Sequence, residues 1–166
     1  MKFVDFVSQG VEKSNRALAV INEVESVFSD INNELKDYPG FELRIDRVVS
    51  TLSAIAKLGQ ALQRVDSEYF EQDSLRLTLI AEGFSAVEVV GAWRQHKQGY
   101  PCTIRFSGQD YLCYNKGELI AGFQELFSSV DFGSAVIRLR ARYSKHLSEK
   151  PPLTEGDGLS ESKDNG

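Results

Sequence analysis

Cysteine, histidine and arginine are the residues of this chain that could carry chemistry, and their spacing limits what that chemistry could be. Cys102 follows Pro101, with His96 on the far side of a polar turn, so a thiolate activated by an imidazole is the one nucleophilic pairing the order of residues offers. Against it, Cys102 and Cys113 fall on the apolar side of an alternating stretch, where cysteine usually packs as a small inert hydrophobe. His96 and His146 are distant in sequence, and neither stands near Cys, Asp or Glu at metal-ligand spacing. Gly83 and Gly91 are isolated, without the lysine or further glycine of a phosphate cradle. The expectation is no catalytic residue, no metal and no cofactor.

Arg138, Arg140, Arg142, Lys145 and His146 form the only basic cluster. On a helix, Arg138, Arg142 and Lys145 share a face and could meet a phosphate backbone. The charge of the rest argues the other way. Residues 1–38 hold four basic and seven acidic groups and residues 148–166 hold two and five, so these segments supply the acidity of a chain whose net charge is −5. An acidic flank repels nucleic acid, so nucleic-acid binding through those three residues stands as the alternative reading.

These side chains need elements to hold them. Val4, Val7, Val11, Leu18, Ile21, Val24, Phe28, Ile31 and Leu35 recur at three, four or seven residues, which predicts an amphipathic helix within 1–38. From Val4 to Leu35 it would run about 48 Å, whereas a domain of this length has a radius of gyration of roughly 15 Å. Part of the apolar stripe must therefore be covered by a bend in the helix, a second copy or a partner. The expected partner-binding positions are the later ones, Val24, Phe28, Ile31 and Leu35.

Asp37-Tyr38-Pro39-Gly40 ends the helix. Phe41 to Asp46 alternates as a half-buried strand, and so does Leu75 to Ala81. Residues 51–70 fit either a helix interrupted at Gly59 or a hairpin. Ala86 to Gln95 alternates again, with Val87, Val89, Gly91 and Trp93 on one face. Cys102 to Ser107 and Tyr111 to Tyr114 flank Gly108-Gln109, a short hairpin in which Ile104 would face Cys113 and the two cysteines would lie diagonally. Asn115 and Glu118 form a capping box before a short helix, and Asp131 caps a final one with Phe132, Val136, Leu139, Tyr143 and Leu147 as its stripe. Pro151-Pro152 and the polar residues after them predict a disordered acidic tail over 148–166.

With 42% hydrophobic residues, 166 residues fill one core. The reading is a single α+β domain over 1–147: a long N-terminal helix, a mainly antiparallel sheet of four to six strands and two C-terminal helices. Asp5 interrupts the only stretch that could begin a signal peptide, and no run of 18 apolar residues exists. A cytoplasmic protein is expected, without membrane contact. The leading function is a non-enzymatic protein-binding factor, of adaptor, inhibitor, chaperone or immunity type, that uses a protein partner or a homo-oligomer.

Overall fold

The computed structural model describes residues 2–59 and 67–151. The long stripe makes one unbroken helix, α1 (Phe3–Leu35), with Asp5 in its first turn, where a carboxylate suits the positive end of the helix dipole. It stops before the Pro39-Gly40 turn, and Gly40 supplies the positive φ of +94° needed there.

Five strands follow as an antiparallel meander in the order β1 (Glu42–Val48), β2 (Ser74–Ala81), β3 (Phe84–Gln95), β4 (Cys102–Phe106) and β5 (Gln109–Cys113). Between β1 and β2, helix α2 (Thr51–Gly59) decides the start of 51–70 in favour of helix, while 60–66 lie outside the described residues. The chain closes with α3 (Lys116–Ser128) and α4 (Val130–Glu149). The α+β class, the antiparallel sheet and the helices at both ends agree with the sequence reading. Helix α4 continues two residues beyond Leu147, and the expected tail lies outside the described residues after Pro151.

Helices α1, α3 and α4 cover one face of the sheet. Leu43 and Ile45 of β1, Leu75, Leu77 and Leu79 of β2 and Ile104 of β4 point into that layer at 0–1% exposure. Phe28 of α1 sits edge-on to both Trp93 (5.3 Å between ring centroids) and Phe123 (5.1 Å), a geometry that adds to the area the three rings bury.

Two registers differ from the sequence reading. In β3, Leu75 pairs with Gly91 and Arg76 pairs with Val89, leaving Val90 as the extra residue of a β-bulge. The bulge reverses the alternation, so Trp93 faces the core whereas Val87 and Val89 face out, and Glu88 turns toward the helices. Gly91 is at this point because a Cβ would lie 2.8 Å from the Arg105 carbonyl oxygen. In the β4–β5 hairpin the turn is Ser107-Gly108, both at positive φ (48° and 74°), which fits a type I′ turn. That places Cys102 directly opposite Cys113 and Ile104 opposite Tyr111.

The helix starts differ in detail as well. Asn115 accepts from the Glu118 N–H at 3.0 Å, and Glu118 reaches back to accept from the Tyr114 N–H at 2.7 Å. Ser129, not Asp131, caps α4 by accepting from the Phe132 N–H. Asp131 instead accepts from the Ser107 hydroxyl at 2.5 Å, which ties α4 to the β4–β5 turn. Leu147, expected in the buried stripe, is exposed.

Candidate docking surface

Helix α1 divides near Ala17. Every residue from Lys2 to Arg16 is exposed, and Ala17 is the first that the rest of the molecule partly covers. The free segment is a rod of about 20 Å, bearing Phe3, Val4, Phe6, Val7 and Val11, with Leu18 just beyond. These six side chains are 55–74% exposed.

The other half of α1 holds the rod in place. Gly99, at φ +102°, packs so tightly on the helix that a Cβ there would lie 2.3 Å from Val20 Cγ1. Arg47 of β1 lies with its guanidinium 4.2 Å from the Phe28 ring centroid, donating to Gln95 Oε1 at 2.8 Å and to Glu25 Oε1 at 2.5 Å. One cation thus joins α1, β1 and β3. Tyr100 donates to Glu23 at 2.9 Å, and burial followed by the Glu23 charge pushes its pKa above the ordinary value, so the hydroxyl stays a donor.

This anchoring consumes the residues that sequence reasoning chose for partner binding. Val24 (0% exposed) and Phe28 (6%) are core, and Ile31 and Leu35 pack against it. Ile31 alone of the four also lines a surface groove, a 280 Å³ cleft between α1 and α3 with Asp30 and Glu34 beside it. The exposed stripe is therefore the earlier half of the helix. The period alone could not show which half the sheet would claim, because both halves are equally apolar.

The angular offset between the halves does carry a signal. At about 100° per residue, Val4, Val7, Val11 and Leu18 centre on one side of the helix. Val24, Val27, Phe28 and Ile31 centre roughly 140° away. The rod therefore presents its stripe in a different direction from the seam that docks on the sheet.

Three of the five basic side chains have acidic neighbours in the fold while remaining half or more exposed. Glu88, turned inward by the bulge, accepts from Arg138 at 3.2 Å and from Arg142, and Arg142 also donates to the Val87 carbonyl oxygen at 3.1 Å. Lys145 lies 3.8 Å from Glu149. The three candidate phosphate-binding residues thus have intramolecular acidic partners, Glu88 for Arg138 and Arg142 and Glu149 for Lys145.

The thiols are not paired with an imidazole. Cys102 donates to the Gly99 carbonyl oxygen, and His96 Nδ1 accepts from the Gln98 N–H while its ring meets Tyr69 edge-on. Burial raises the Cys102 thiol to about 12 and the Cys113 thiol to about 11, which leaves both protonated and unreactive at neutral pH. Among the described residues no three His, Cys, Asp or Glu side chains gather as a metal ion requires, and no helix is long and apolar enough to cross a membrane.

Sequence reasoning missed two other surfaces. Leu52, Ile55 and Leu58 line one exposed side of α2, Leu52 and Leu58 at over 80%. The sheet face opposite the helices carries a 530 Å³ depression where Arg94 lies 3.6 Å from the Tyr69 ring centroid and Arg105 pairs with Asp110 at 3.2 Å. The alternation of β3 and β4 would have identified this face had the bulge been anticipated.

No protein-family model, curated protein or solved structure matches this chain.

Proposed function

We propose that this chain is a non-enzymatic, cytoplasmic protein-binding factor, in the class of adaptors, inhibitors, chaperones and immunity-type proteins, and that it binds through the exposed rod of α1. One observation carries the reading: six large apolar side chains stand exposed on a helix whose other half is firmly built into the core. A contiguous apolar patch of several hundred Å² is uncommon on a protein that works alone, and it marks an interaction surface. A helix presenting residues at three- and four-residue spacing is also a standard way to engage another helix or a groove.

The inertness of the thiols and the internal pairing of Arg138 and Arg142 support a binding role over catalysis or nucleic-acid contact. The test is a photo-crosslinking residue placed at Val11 in cells, with Gln9 on the polar side as control. The expected result is one discrete adduct from Val11 that disappears in a Leu18→Asp background. Absence of any adduct from Val7, Val11 and Leu18 would remove the reading.

A further inference from the structure

We infer that the occupant of the rod is a second copy of this chain, lying antiparallel to the first across a two-fold axis between Glu12 and Lys13. The inference rests on the docking reading above and names its partner.

The stripe has coiled-coil spacing. Val4, Val7, Val11, Ser14, Leu18 and Ile21 alternate three and four apart, the inward positions of a heptad. The positions flanking them are Phe3, Gly10 and Ala17 on one side and Ser8, Asn15 and Asn22 on the other. None of these twelve is charged. Asp5, Glu12, Lys13 and Arg16 all fall on the outer side of the helix, and they cancel. Two identical rods can therefore approach without like charges meeting, and the small flanking residues let the backbones come close.

Antiparallel helices pack each first inward position against the other's fourth. Setting Val7 against Leu18 of the copy brings Val4 against Ile21 and Val11 against Ser14, so every large side chain of the seam meets another seam position. The overlap uses the whole rod and ends where the body begins. Among the described residues nothing blocks it there, because Asn22, Glu25 and Ser29 on the same side are exposed and Val20, which touches Gly99, lies about 160° around the helix from Leu18.

Charge selects this direction over the parallel one. Glu25 is the next inward position after Ile21, so parallel rods would set Glu25 against its own copy. In the antiparallel pair Glu25 falls beyond the overlap, where it meets no inward position of the copy. The size also fits a modest interface: the five exposed side chains on this side, Phe3, Val4, Val7, Val11 and Leu18, present roughly 550 Å² on each copy, and with Ser8, Gly10, Ser14 and Asn15 between them the patch reaches the lower range of specific interfaces, about 600 Å² per partner.

The experiment combines mass in solution with cysteine pairing. Light scattering of the full chain should return twice the 18.6 kDa of one copy, and Val7→Asp should halve it. The near-ultraviolet signal of Trp93, the only tryptophan, should stay unchanged, showing that the body remains folded. A mixture of Val7→Cys and Leu18→Cys chains should form a mixed disulfide under mild oxidation, whereas Val7→Cys alone should not, its two copies being about 16 Å apart along the axis. The native thiols, both buried, do not compete. Self-linking of Val7→Cys would show parallel rods and overturn the inference. So would a monomeric mass at every concentration. A monomer whose Val11 photo-adduct is a different protein would overturn self-pairing yet leave the docking reading intact, and a monomer with no adduct would remove both.

Discussion

The side-chain amide of Asn32 closes a pair of hydrogen bonds on the backbone of Ile45, accepting from its N–H at 2.8 Å and donating to its carbonyl oxygen at 3.0 Å. Ile45 lies in the edge strand β1, so these are groups that a neighbouring strand would otherwise claim. One helix residue thus stands in for a sixth strand and fixes α1 against the sheet. Asn32→Ala leaves both buried groups unmet, and we expect a loss of about 2 to 4 kcal/mol in urea unfolding. Asn32→Asp keeps the acceptor but sets a carboxylate against the Ile45 carbonyl, so it should rescue little at neutral pH.

Phe28 separates the anchored half of α1 from the rod by its response to mutation. It contacts Trp93, Phe123 and the Arg47 guanidinium, so Phe28→Ala opens a cavity at the junction of three elements and should cost about 3 to 5 kcal/mol. Phe28→Asp or Ile31→Asp should unfold or loosen the body rather than detach a partner from a folded one. Val7→Asp should leave the near-ultraviolet signal unchanged. Thermal and spectroscopic comparison of the variants checks the contrast.

Asp73 holds α2 to the sheet. Its carboxylate accepts from the Ser50 N–H at 2.5 Å, from the Ser50 hydroxyl at 2.7 Å and from Ser53. Burial works to raise its pKa, but the hydrogen bonds from Ser53 and Ser50 together outweigh it and hold the group below its ordinary 3.8. A lowered carboxylate stabilises the fold above its unfolded pKa and loses that contribution as pH falls through the folded value. Protection of the Ala54 amide, whose N–H donates to the Ser50 carbonyl oxygen, should therefore fall relative to its intrinsic exchange rate on acidification below about pH 4. Asp73→Asn should exchange fast already at neutral pH.

The parts of this molecule legible in the sequence are those set by local period and local chemistry. The length of α1, the alternation of β1 and β2 and the Asn115 cap follow from residues near one another in the chain. The site was harder to read because its location depends on which half of the apolar stripe the sheet covers. That choice is made by Phe28 fitting between Trp93 and Phe123, by Asn32 meeting Ile45, and by Gly99 touching Val20. None of these contacts is local. The bulge at Val90 is of the same kind: it arises where the Gly91 backbone approaches Arg105 of another strand, and it alone explains why Glu88 turns to Arg138 and Arg142.

Cys102 and Cys113 face each other across β4 and β5, and both should make the protein less stable in alkali. Burial raises them to about 12 and about 11, from an ordinary 9.0. In the folded state both therefore keep their protons as pH climbs past 9, while the unfolded chain gives them up. The folded state then binds more protons than the unfolded one, so stability falls with rising pH. The contribution is intact below pH 9 and declines steadily up to about 11 to 12. Tyr100, also raised, acts in the same direction. The urea midpoint should be flat from about pH 7 to 9 and fall above it, and the double variant Cys102→Ala, Cys113→Ala should fall less steeply from a lower starting value. A thiol reagent added at pH 8 should react only at the rate at which the protein unfolds, because neither sulfur is exposed or ionised in the native state.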